Sequence, residues 1–249
     1  FTLVYENGFF NQSRNFRLQK VGNISWLEKN YKFKDIAFSL DELIVLNASK
    51  DKKNIQEFGK VLSELVNDVF IPIAAGGGIR TVEDAKFLFK NGADKLVINT
   101  ILYEKPDLVK ELVKIYGSQS LVACIDYKKI DEINKIFIND GRKEIEFTLE
   151  EYLEYVQSLG VGEIYFNSIE KDGTGFGYDM ETIEQISDIV KIPLIIAGGA
   201  GNEKHLIDGL SLDYVSAVAT ANLFNFIGNG LPNARRKIID KNMNIARWI

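Results

Sequence analysis

The residues in this sequence best placed to do chemistry are glycines. Ile71-Pro72-Ile73-Ala74-Ala75 runs into Gly76-Gly77-Gly78-Ile79. Ile192-Pro193-Leu194-Ile195-Ile196-Ala197 runs into Gly198-Gly199-Ala200, 121 positions later in a chain of 249 residues. Residues without side chains let backbone N–H groups approach phosphate oxygens closely, and a helix that follows adds a favourable dipole. Asn99 and Thr100 fall beside the first cluster; Asp172, Gly173, Thr174, Thr220, Ala221 and Asn222 fall beside the second. The doubled pattern predicts two backbone anion cradles, and hence a ligand with a phosphate at each end.

Proton chemistry would fall to carboxylates. Asp126 closes the apolar run Leu121-Val122-Ala123-Cys124-Ile125, where apolar walls can raise a pKa toward neutrality; the alternative use of such an Asp is to cap the next loop. Asp172 and Asp179 are further carboxylates, and Asp179 is also placed to cap the helix after it. Asn47 and Ser168, related by the same 121-residue offset, can hydrogen-bond a ligand but cannot act as bases near neutral pH. The single histidine, His205, reads as solvated on a polar helix, and the single cysteine, Cys124, as core. This usage excludes a disulfide framework and a Cys- or His-cluster metal site, so neither metal nor cofactor is expected. A net charge of −5 argues against non-specific nucleic-acid binding. There is no apolar run of about 18 residues, so no membrane span is expected and the cytoplasm is the expected location.

The elements that must position these groups alternate along the chain. Strands are expected at 1–5, 42–47, 70–75, 95–99, 121–126, 163–167, 193–197 and 214–218. Helices are expected at 25–38, 52–67, 81–91, 105–116, 148–159, 180–189, 202–209 and 232–242. Eight strand–helix units predict one α/β domain over residues 1–249, a (β/α)8 barrel with functional groups at the C-terminal ends of its strands. Glu42-Leu43-Ile44-Val45-Leu46 echoes Glu163-Ile164-Tyr165-Phe166-Asn167, again 121 positions on, which makes the barrel a repeated half-barrel. Glu42, Lys95 and Glu163 begin alternate strands; they could form one inward ring of charges or simply face water. Loops 6–24, with Arg14, Arg17 and Lys20, and 127–147, with a hairpin turn at Asn139-Asp140-Gly141, are long enough to be functional. Phe1-Thr2-Leu3-Val4-Tyr5 reads as a strand already in progress, with no Met before it, so residues upstream are expected.

Gly76-Gly77-Gly78-Ile79-Arg80, Gly92-Ala93-Asp94-Lys95 with Asn99-Thr100, and Gly117-Ser118-Gln119-Ser120 leading into Asp126 resemble the HisF family, the cyclase subunit of imidazole glycerol phosphate synthase. So do Gly162-Glu163-Ile164, Asp172-Gly173-Thr174, Gly177-Tyr178-Asp179 and Ala197-Gly198-Gly199-Ala200-Gly201. The likeness covers about residues 40–226; the first strand and its loop agree in register only. The resemblance implies a mouth that binds a bis-phosphorylated substrate at the two glycine sites. It also implies a HisH-type glutaminase subunit at the barrel bottom, whose ammonia passes a charged gate and the barrel core. Glu42, Lys95 and Glu163 match three gate residues, and the fourth, an Arg, would precede Phe1.

The resemblance also exposes a departure. Cyclisation in the family relies on aspartates at the ends of strands 1 and 5. Asp126 matches the second, whereas Val4 stands at the first in register with Asn7-Gly8. Asn47 replaces another mouth aspartate, and Gln12 a lysine of loop 1. This pattern is similar to a paralogous branch found with surface-polysaccharide genes, in which barrel and glutaminase supply ammonia to a third protein that converts a sugar N-acyl group to an amidine. Three readings stand. The first is an ammonia-channelling synthase subunit of a glutamine amidotransferase serving sugar amidation. The second is a true cyclase making imidazole glycerol phosphate and AICAR for histidine biosynthesis. The third is a non-catalytic barrel that binds a phosphorylated ligand.

Overall fold

A computed structural model describes residues 1–31, 36, 38–50 and 53–246 of the chain. Its strands, in chain order, are β1 (Thr2–Glu6), β2 (Phe9–Arg14), β3 (Arg17–Gly22), β4 (Leu43–Asn47), β5 (Ile73–Gly76), β6 (Lys95–Ile98), β7 (Leu121–Ile130), β8 (Ile133–Ile138), β9 (Lys143–Ile145), β10 (Glu163–Ser168), β11 (Leu194–Ala197) and β12 (Ala217–Val218). The order β12-β11-β10-β7-β6-β5-β4-β1 is parallel throughout, and Thr2 N donates to Thr220 O at 2.9 Å to bring the two ends of the sheet together. The fold is the expected (β/α)8 barrel.

The helices are α1 (Ile24–Tyr31), α2 (Ile55–Asp68), α3 (Val82–Lys90), α4 (Thr100–Glu104), α5 (Pro106–Tyr116), α6 (Leu149–Ser158), α7 (Met180–Gln185), α8 (Glu203–Leu210) and α9 (Gly230–Asp240). Their starts are chemically marked. Thr81 with Asp84, and Thr148 with Glu151, form capping boxes that satisfy otherwise unpaired backbone donors of α3 and α6. Of the helix expected over 25–38, residues 32–35 and 37 lie outside the described residues, as does residue 52 of the helix expected over 52–67. The helix expected to run to 189 stops at Gln185, and α4 is a short helix that the pattern did not announce.

Strand alternation sorts side chains into two cores. Leu3, Tyr5, Leu43, Val45, Ile73, Ile164 and Phe166 point outward and pack under the helices. Ile44, Val97, Val122, Cys124, Tyr165 and Ile195 point inward and fill the barrel, so the interior is packed rather than open. Two excursions leave this frame. The loop after β1 is not irregular: β2 and β3 form an antiparallel hairpin joined to β1. The loop after β7 begins as an extension of that strand to Ile130, pairs with β8, and turns back into β9. Asn139, Asp140 and Gly141 all take positive φ at that turn, as the sequence predicts for a tight hairpin.

Candidate functional site

The C-terminal ends of the barrel strands enclose a cavity of about 440 Å³. Gly77, Gly78, Asn99 and Thr100 line one side, and Gly173, Gly198, Gly199 and Asn222 the other. The two glycine loops are conformationally alike. Gly77 and Gly198 have φ of +98° and +88°, a region that disfavours L side chains. A Cβ on Gly77 would lie 2.1 Å from Asn47 O, and one on Gly198 would lie 2.5 Å from Ser168 O. The same contact, at the same repeat positions, fixes both loops.

Asp126 is buried beside this cavity. Asn167 Nδ2 donates to its Oδ1 at 2.9 Å, Asn99 Nδ2 reaches its Oδ2 at 3.4 Å, and Cys124 Sγ lies 3.5 Å from Oδ1. Burial pushes this carboxyl from 3.8 up to about 7, against the opposing pull of the Asn167 and Cys124 hydrogen bonds. A carboxyl titrating there can take up or release a proton near neutral pH. The Cys124 thiol is driven the other way for a nucleophile: burial first, then Asp126, hold it well above its ordinary pKa, in keeping with a core role.

The other predicted residues separate into those that line the cavity and those that support it. Asn47 and Asp172 line it. Asn47 Oδ1 accepts from Ser49 N at 3.2 Å, while its buried Nδ2 has no partner among the described residues. Asp172 is engaged by the β2–β3 hairpin: its Oδ2 accepts from the Ser13 hydroxyl and from Phe16 N. Asn15 Nδ2 adds bonds to Ile169 O and Glu170 O. Asp172 therefore ties the hairpin across the mouth.

Gly76, Ser168, Thr174 and Asp179 do not line the cavity. Gly76 lies within β5, where a Cβ would strike Val97 O at 2.3 Å. Ser168 Oγ accepts from Lys171 N, and Thr174 Oγ1 donates to Lys171 O at 2.7 Å, so both shape their own loop. Asp179 caps α7 through Thr182 N and accepts from the buried Tyr127 hydroxyl at 3.2 Å.

At the opposite end of the barrel, Lys95 Nζ sits 2.8 Å from Glu42 Oε1 and 2.6 Å from Glu163 Oε1. Of the two uses open to these charges, the inward ring is the arrangement present. Burial disfavours the Lys95 charge, but the Glu163 and Glu42 hydrogen bonds outweigh it and raise its pKa. Between ring and mouth, the Tyr165 hydroxyl crosses the interior to within 3.1 Å of Thr2 Oγ1.

The pattern of the histidine biosynthesis protein family matches residues 18–227. The chain belongs to that family. Within it, the chain is similar to a protein of Parasynechococcus marenigrum whose name provisionally assigns it as subunit hisF2 of imidazole glycerol phosphate synthase, 42% identical over 249 residues, 100% of this chain and 93% of that one. It is also similar to the imidazole glycerol phosphate synthase subunits HisF of Chlorobium phaeobacteroides and Chlorobium phaeovibrioides, 35% and 36% identical over 205 residues, 82% of each chain. It is a HisF-family barrel. Among the described residues, no helix is long and apolar enough to cross a membrane.

Val4 lines the cavity, whereas Tyr5 points outward onto Phe58 and Phe10. Gln12 also lines the cavity, and its Oε1 accepts from Leu223 N at 2.8 Å. Three contributors escaped the sequence reading. Asn167 was recoverable, because it stands four residues after Glu163 on one inward face of β10. Tyr165 stands between them and was equally recoverable. Lys53 was not: it reaches Asn47 O and Asp140 from a loop, and no periodicity marks it.

Proposed function

We propose that this barrel is the ammonia-receiving synthase subunit of a glutamine amidotransferase, binds a phosphorylated ligand at its mouth, and serves amidation of a surface-polysaccharide sugar rather than imidazole formation. The observation that carries the reading is the pairing at the mouth. Asp126 stands in cross-strand register with Asn167, and the repeat-related pair is Val4 with Leu46. One acid/base group is present where cyclisation in the resembled family relies on two, and a valine cannot transfer a proton.

The other end of the barrel supports the ammonia route. The Glu42–Lys95–Glu163 ring lies there, and Phe38 and Phe70 stand exposed beside the starts of β4 and β5, apolar surface of the kind a partner subunit covers. A HisH-type glutaminase docked over this face would deliver ammonia to the ring and, through the barrel, to the cavity. There the Asp126 carboxyl, titrating near neutrality, would exchange a proton with ammonia or with the acceptor. A third, sugar-modifying protein would complete the amidation.

The test is an assay of the purified chain with the bis-phosphorylated histidine-pathway intermediate and ammonium salt. No imidazole glycerol phosphate is expected. Turnover at the rate of a HisF cyclase would overturn the proposal and return the chain to histidine biosynthesis.

A further inference from the structure

The inward face of β10 differs from the rest of the barrel interior. It carries Glu163, Tyr165 and Asn167 at alternate positions, so each stands about 6–7 Å beyond the one before. Each meets a polar partner on another strand. Glu163 holds Lys95 in the ring, the Tyr165 hydroxyl lies 3.1 Å from Thr2 Oγ1, and Asn167 donates to Asp126 at the mouth. Around them stand Ile44, Ala74, Val97, Val122, Ile195 and Ala219, which offer no polar side-chain atom. One strand therefore carries a polar track from the ring to the mouth through an apolar core.

The middle step of that track has bonding capacity to spare. Thr2 and Tyr165 are both buried, and both line the cavity. Two hydroxyls hold two protons, and the bond between them uses one. Among the described residues neither hydroxyl has another partner, so a proton and several lone pairs are left over. Burial holds the Tyr165 hydroxyl well above its ordinary pKa, so it keeps its proton. The pair suits a small guest that accepts one hydrogen bond and donates others. Neutral ammonia, with a lone pair and N–H groups, is such a guest. Ammonium has no lone pair, and neither hydroxyl bonds a carboxylate that would balance its charge once stripped of water.

We propose that the Tyr165–Thr2 hydroxyl pair is a binding point for one molecule of neutral ammonia inside the barrel, between the Lys95 ring and Asp126. The lone pair of ammonia accepts the spare hydroxyl proton, an N–H donates to the other oxygen, and no covalent bond forms or breaks. This rests on the reading that ammonia crosses the barrel. Ammonia would then pass from one polar station to the next instead of crossing the apolar core with its hydrogen bonds unmade.

The test is NMR of the chain itself, followed at the Thr2 methyl and the Tyr165 ring. Ammonium chloride is titrated against a sodium chloride control, at two pH values above the range in which Asp126 titrates. Both signals should shift in proportion to free ammonia and not to total ammonium. Tyr165→Phe and Thr2→Val each remove one hydroxyl and nearly keep the shape. Read at the residue that remains, each should weaken the response about two- to tenfold, the weight of one neutral hydrogen bond. Tyr152→Phe, which removes a buried hydroxyl from the outer core, should leave the response unchanged. No shift at either residue, shifts that follow total ammonium, or an equal response in the parent and both variants would overturn the binding point and leave the ammonia route standing. The route fails by a different result: a HisH-type glutaminase that, mixed with this chain, neither binds it nor changes its own glutamine turnover.

Discussion

In the first half of the barrel mouth Val4 stands beside Leu46; in the second half Asp126 stands beside Asn167. One layer deeper the contrast fades: Thr2 and Ile44 in the first half face Cys124 and Tyr165 in the second, and each pair holds one hydroxyl, joined at 3.1 Å. The backbones that carry these residues are repeats of each other, down to the oxygen against which Gly77 and Gly198 are each pressed. A duplicated frame therefore constrains glycines and strand register tightly, while the inward side chains at its mouth are free to diverge. The halves differ at these paired positions: one carries two apolar side chains, and the other holds a carboxyl that burial pushes up to about 7.

The contrast can be broken most directly by giving the first half the acid it lacks. If the missing strand-1 carboxylate is what withholds cyclisation, Val4→Asp should bring turnover of the bis-phosphorylated intermediate with ammonium up by about 10²–10⁴-fold, the usual contribution of a positioned acid or base. Product formation measured beside the parent chain decides it. No gain would mean that other mouth residues also bar the reaction.

A smaller effect sharpens the second half. Asp126 holds a proton in the folded chain up to about pH 7, whereas its ordinary value is 3.8. Between those values the folded state binds more protons than the unfolded state, so this group makes stability fall as pH rises, and adds no slope above about 7. Asp126→Asn should remove that slope. Its gain at pH 8 relative to pH 4 is at most about 4 kcal/mol, readable from urea unfolding at both pH values. An unchanged slope would show that the carboxyl ionises normally.

The smallest contrast tests the shared frame. Gly77→Ala and Gly198→Ala should each lose at least about 1–3 kcal/mol, because each places a Cβ at positive φ and against a carbonyl oxygen. Thermal unfolding of the two variants should give matching losses. A large mismatch would mean that the loops are not equivalent supports.

The barrel was legible from sequence because its signals are local. Continuous apolar strands such as Leu43–Leu46, glycines at their ends, and Thr81 or Thr148 opening a helix each act within a few residues. The ring of Glu42, Lys95 and Glu163 was legible as a placement, because alternate strands share layers. What stayed hidden depends on side chains reaching between elements distant in sequence. Asp172 lines the cavity, as a mouth carboxylate was expected to, but its tie to Ser13 and Phe16 of the hairpin had no signal in the sequence. Asp179 was divided between site and cap, and its bonds to Thr182 and Tyr127 place it in the cap. The residues after β1 read as a loop because Arg14, Asn15, Arg17 and Lys20 mask the alternation of a solvent-facing hairpin.

The meeting of β12 and β1 carries a consequence of its own. β12 is two residues long, and the sheet's ends are brought together there by the bond from Thr2 to Thr220, with Tyr165 reaching Thr2 from inside. Such a barrel is mechanically a split ring, not a hoop. Strain applied at the mouth would concentrate at that seam, next to Ala219 and Thr220, so a ligand settling against the second glycine loop presses on the part of the wall with the fewest bonds to hold it.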